Sequence, residues 1–182
     1  MFSSVTFGLA PRIFCSVEMV EARVDINACY LAAMRILNHR FNSEAELQRK
    51  LSLKEFPPEV VTATIEKLRR EKWLDDARFA ASFVRTRVRK GLGRHRISRE
   101  LTAAGVESET IARALDESVP DHDERAAAVV AARKRLAVIR RREEDVAKIR
   151  EKLVAYLFRQ GYDSSLAVDV VREVTRKGIN DD

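Results

Sequence analysis

Leu47, Leu51, Phe56, Val61 and Ile65 stand four, five, five and four residues apart, and the same spacing recurs at Ile97, Leu101, Val106, Ile111 and Leu115 and again at Leu153, Leu157, Tyr162, Ala167 and Val171. A step of four keeps two side chains on one helical face, and a step of five across a turn residue is what two short helices joined by a tight corner produce. Each copy is therefore predicted to be a helix, a turn and a helix. A further apolar-periodic stretch precedes each pair: Tyr30 to His39, Arg78 to Lys90, and Asp123 to about Leu136. Each repeat becomes a three-helix unit, and the longer interval before the third copy places an insertion in its Ile139 to Asp145 region.

The corners support this reading. Gly105 and Gly161 fall one position before Val106 and Tyr162, where the left-handed residue that ends a helix belongs. The first copy has Glu55 there, so either Glu55 accepts a strained backbone or the following Pro57-Pro58 builds a different corner. Pro58 suits the first turn of the next helix, and Ser43 with Glu46 forms a capping-box signature ahead of the first pair. The expected organisation is all-α: three tandem three-helix repeats over 26–76, 77–120 and 121–178, a flexible extension at 1–25 and a tail at 179–182. A module of roughly 50 residues has a marginal core, so neighbours are expected to pack into an elongated, curved body. The absence of periodicity before about Asp25 also makes Met19 a candidate start.

Composition narrows the chemistry. The 182 residues are 46% hydrophobic and 34% charged with only six glycines and four prolines, which favours helix over a turn-rich β-sandwich. Charges interrupt every apolar stretch, so no membrane span is expected. Cys15 and Cys29 are isolated from each other and from His39, His95 and His122, which argues against a metal site and fits a cytoplasmic chain. No catalytic set of nucleophile, base and orienting acid is legible, so neither an enzyme nor a cofactor is expected.

Charge is distributed unevenly. Ala77 to Arg99 carries eight basic residues and no acidic one, Glu100 to Ala132 carries eight carboxylates against Arg113 and Arg125, and Arg133 to Arg142 carries six unopposed cations. The stretches run +8, −6, +6 within a net charge of +6. Seven of the first eight cations are Arg, which suits bidentate contacts to phosphate or carboxylate. Winding the second module's first helix at about 100° per residue aligns Arg78, Arg85 and Arg89 in an outward stripe and leaves Arg87 inside the apolar arc with Phe79. Arg87 is expected to bury its stem and pair with a carboxylate, Asp75 and Asp76 being nearest in sequence.

Trp73-Leu74-Asp75-Asp76-Ala77-Arg78-Phe79-Ala80, followed by Arg87, Lys90-Gly91, Gly93, Arg96-Ile97, Glu100-Leu101 and Gly105, resembles the signature of the RecX family, bacterial regulators of the recombinase RecA. The resemblance covers roughly Leu31 to Leu115 well and extends more weakly to about Val174. It implies a helical protein of three three-helix repeats lodged in the groove of the RecA filament, contacting protein and bound DNA and inhibiting ATP hydrolysis and strand exchange. Glu55 at the first corner, Trp73 and the N-terminal extension depart from the pattern and leave the central basic module untouched. On this reading Arg85, Arg89, Lys90, Arg94 and Arg96 are the expected contacts to filament and, weakly, to single- or double-stranded DNA. Asp75 and Asp76 are expected to cap a helix near Ala77, Arg78 and Phe79 to hold the module junction, and the chain to act as a monomer. Lys90-Gly91-Leu92-Gly93 lacks the spacing of a phosphate-binding loop and is expected to be a flexible basic connection.

A direct DNA-binding helix-turn-helix is the rival, since Leu101, Gly105 and Ile111 have its offsets. Its would-be recognition helix, however, carries Glu107, Glu109, Asp116 and Glu117 against Arg113 alone, an unfavourable face for phosphate.

Overall fold

The computed structural model describes the backbone of residues 14–118 and 121–177 and the side chains of 26–118 and 124–176. Among these residues there are nine α-helices and no strand: α1 Phe14–His39, α2 Glu44–Ser52, α3 Pro58–Arg70, α4 Asp76–Arg89, α5 Arg94–Ala103, α6 Ser108–Ser118, α7 Asp121–Ile139, α8 Val146–Gln160 and α9 Ser164–Lys177. The expectations for 1–13 and 179–182 lie outside the described residues. Helix α1 reaches further back than the stretch from Tyr30, because residues 14–29 contain neither glycine nor proline to end it.

The helices group in threes, each around its own core. Cys29, Ala33, Leu47, Leu51, Val61 and Leu68 fill the first, Phe79, Ala80, Val84, Ile97, Leu101 and Ile111 the second, and Ala128, Ala132, Leu153, Leu157, Tyr162 and Val171 the third. The spaced apolar residues are the inward faces of the second and third helices of each group, with Phe56, Val106 and Tyr162 in the corners between them; Val106 and Tyr162 are buried and Phe56 is half-buried against its core. By compactness the chain divides at Leu74/Asp75 into two units, the first holding α1 to α3 and the second α4 to α9.

In the first unit the Tyr30 hydroxyl donates to Glu71 at 2.5 Å, Lys67 sits 4.2 Å from the Tyr30 ring centre, and Arg69 pairs with Glu44. Ser43 caps α2 by accepting from the Glu46 amide at 3.1 Å, while the Glu46 carboxylate accepts from Arg40 at 3.0 Å. Glu55 takes the left-handed conformation, φ 64°, with its N–H donating to Ser52. The first corner thus keeps the shape that Gly105 (φ 82°) and Gly161 (φ 91°) give the other two.

The extra length of the third group is largely helical: α7 and α8 have 19 and 15 residues where α4 and α5 have 14 and 10. Asp145 caps α8, accepting from Ala147 at 2.8 Å.

Candidate functional site

Helix α4 carries the basic segment into place. Asp75 is its N-cap, the carboxylate accepting from the Arg78 amide at 2.9 Å, and Asp76 is its first residue. Phe79 is 4% exposed in the second core, and Arg78 lies at the surface.

Arg87 is half-buried, with its guanidinium 4.3 Å from the Phe83 ring centre and its Nε donating to Glu100 at 2.6 Å. Glu100 on α5, and neither Asp75 nor Asp76, is the carboxylate it meets. The aspartates sit at the far end of the same helix, about 16 Å away at 1.5 Å per residue, whereas α5 packs alongside. Arg96 donates from Nε to the other Glu100 oxygen at 3.1 Å. Burial pushes the Glu100 carboxyl up, but the hydrogen bonds from Arg96 and Arg87 outweigh it and hold it below the usual range.

The five expected contact residues separate into two sets. Arg94 and Arg96 turn toward their own chain: the Arg94 amide donates to Glu124 at 3.0 Å, its guanidinium pairs with Asp116, and Arg96 also reaches the Arg159 carbonyl at 3.5 Å. Arg85, Arg89 and Lys90 are exposed and make no ion pair among the described residues. With Arg78 they line the solvent side of α4 and its end.

The link after α4 is fastened at several points. The Tyr162 hydroxyl donates to the Gly91 carbonyl at 3.1 Å, Gly93 N–H to Gln160 at 2.9 Å and His95 N–H to Gly161 at 3.1 Å. A methyl group on Gly93 would lie 2.5 Å from the backbone of Gly161 and Tyr162, and one on Gly161 would collide with Arg96. The expected flexible connection is instead a close backbone-to-backbone contact. Burial, with Glu124 and Tyr156 adding to it, pushes the Tyr162 hydroxyl up to about 12.

Of a groove of about 330 Å³ where the end of α4 meets α7 and α8, sequence reasoning singled out Arg89 and Lys90 as contact residues but none of the residues from α7 and α8. Val88, Ala127 and Val130 contribute to its floor, Tyr156 to its wall, and Arg89, Lys90 and Lys134 to its rim. Arg135 lies 5.4 Å from the Tyr156 ring centre. The unopposed cations of Arg133 to Arg142, Lys134 among them, were the sequence signal on the α7 side.

Comparison with known proteins points one way. Residues 29–68 match the model for the first three-helix domain of RecX and residues 75–115 that for the second. The Regulatory protein RecX of Xanthomonas campestris pv. campestris (strain B100) is 35% identical over 154 residues, covering 82% of this chain and 86% of that one. That of Clostridium botulinum (strain Eklund 17B / Type B) is 31% identical over 145 residues, covering 80% and 68%. The crystal structure of RecX from Lactobacillus salivarius shares the fold at a TM-score of 0.73 and 22% identity, covering 84% of this chain and 97% of that one. With its helical triplets, its motif around Asp75 and these relatives, the chain belongs to the RecX family of regulatory proteins.

Proposed function

We propose that this protein binds the RecA nucleoprotein filament, in its groove and as a single chain in the cytoplasm, and inhibits the filament's ATP hydrolysis and recombination activity. The observation that carries the reading is the exposed row Arg85, Arg89 and Lys90, which make no ion pair among the described residues while the nearby Arg87, Arg94 and Arg96 are matched to carboxylates. A partner offering phosphate beside acidic protein surface suits that row, with phosphate contacts positioning and protein contacts selecting. Arg94 and Arg96 then support the surface from behind, as do Arg87 and Glu100. Weak binding to bare DNA follows from the same cations.

Reading of bases by α6 is disfavoured, because Glu107, Glu109, Asp116 and Glu117 are all exposed around that helix.

The test is a titration into preassembled RecA filaments on single-stranded DNA while ATP hydrolysis is followed. The wild-type chain is expected to inhibit well below one molecule per RecA. Arg85→Glu combined with Arg89→Glu is expected to raise the concentration needed at least about tenfold with unchanged helicity. No inhibition by the wild type, together with tight salt-sensitive binding to bare DNA, overturns the reading.

A further inference from the structure

We propose that the groove between α4, α7 and α8 seats an acidic segment of a partner protein, with an aliphatic or aromatic side chain of that segment on Val130 and its carboxylates on Arg89, Lys90 and Lys134. The groove combines two features that seldom coincide on a solvated surface. Its floor is apolar, and Val130 is 52% exposed there. Its rim is cationic and contains no carboxylate.

Neighbouring hollows lack this combination. One, beside Leu136 and Thr175, is lined by Glu143 and Glu144, and Glu143 already accepts from Lys152 at 2.7 Å. Another contains Asp169 and Glu173, the latter paired with Arg125 at 3.0 Å. In the α4/α7/α8 groove, Arg89, Lys90 and Lys134 are exposed and make no ion pair among the described residues, so all three can meet carboxylates of an occupant.

The floor decides between peptide and nucleic acid. Single strands are held by aromatic faces on which bases stack. Here the aromatic side chain is Tyr156, half-buried with Arg135 over its ring. Valine and alanine side chains offer no hydrogen bond to a base edge but accept a leucine or phenylalanine side chain, and the volume suits one or two such groups. Carboxylates beside that anchor complete the match. That this segment belongs to the filament rests on the proposed function, whereas the preference of the groove for an acidic segment with an apolar anchor does not.

The experiment is fluorescence anisotropy of the full chain with a short labelled peptide of Glu and Asp residues around a central Leu-Phe pair. Its controls are the same peptide with Gly-Gly at the centre and a labelled oligothymidylate. The Leu-Phe peptide is expected to bind at least about tenfold more tightly than the Gly-Gly peptide. Lys134→Glu and Val130→Glu are each expected to weaken it by a similar factor, and Lys134 packs in no core, so that variant stays informative if Val130→Glu misfolds. Equal binding of the two peptides, or loss of oligothymidylate binding alone in both variants, overturns the proposal. Filament inhibition by the wild type separates the two readings: inhibition without peptide binding overturns the groove alone, and peptide binding without inhibition overturns the filament role alone.

Discussion

Glu100 shows how a single carboxylate organises a basic surface. It accepts from Arg87 on α4 and Arg96 on α5, so it joins two helices while removing two cations from the exposed face. Arg87→Ala leaves Glu100 half-buried with one partner fewer and strips the guanidinium from Phe83. A loss of about 1–2 kcal/mol in chemical denaturation is expected, with filament binding affected less than by reversal of Arg85 and Arg89. The same site gives a pH signature. Because the folded carboxyl is held below its ordinary value of 4.5, the unfolded chain takes up the proton first as pH falls. The stabilisation is complete above that value and is lost as pH falls through the lower folded value. Glu100→Gln is expected to flatten the acid limb of a melting-temperature profile relative to wild type. Arg87 was legible as a half-buried cation from its place among Phe79 and Val88, yet its partner was not, because closeness in sequence places Asp75 nearest whereas helix packing brings Glu100.

At the level of elements, the recurring four-five-five-four spacing exposed the helix pairs because core positions repeat wherever helices meet at the same angle. The corners followed from it, and Glu55 in a left-handed backbone shows how firmly that geometry is imposed. Its side chain is exposed, so glycine removes the strain without opening a cavity. Glu55→Gly is expected to stabilise the first unit by about 0.5–1 kcal/mol after the entropy of the freed chain is counted, measurable by chemical denaturation. The Gly91-Leu92-Gly93 link was misread because two nearby glycines in a basic stretch look like slack. Their purpose appears only when Gly161, from another repeat, lies against Gly93. Gly93 has an ordinary φ of −84°, so Gly93→Ala adds no torsional strain and reports the overlap alone. A cost of about 1–3 kcal/mol is expected in equilibrium unfolding.

Within the second unit, charge that looks bipolar along the sequence becomes partly self-neutralised in space, with Glu100 and Asp116 of the acidic stretch pairing with Arg87, Arg96 and Arg94 of the basic one. Arg94 and Arg96 were grouped with Arg85, Arg89 and Lys90 because a linear count registers cations without showing which of them meet carboxylates of their own chain. The groove was hidden for the same reason, being assembled from the end of α4 and two helices of the next repeat.

The fastening of Gly91 and Gly93 by Tyr162 and Gln160 has a consequence for synthesis. Chains leave the ribosome amino end first, so α1 to α3 can close around their own core while the rest is still being translated. The basic helix then emerges well before the residues that hold the link behind it. A message cut short ahead of α8 therefore yields a fragment with its cationic row intact, the Gly93 amide unmatched and the groove unwalled. Only a chain translated through Tyr162 carries the finished surface, so the partner-facing side is completed well after the basic helix itself has been made.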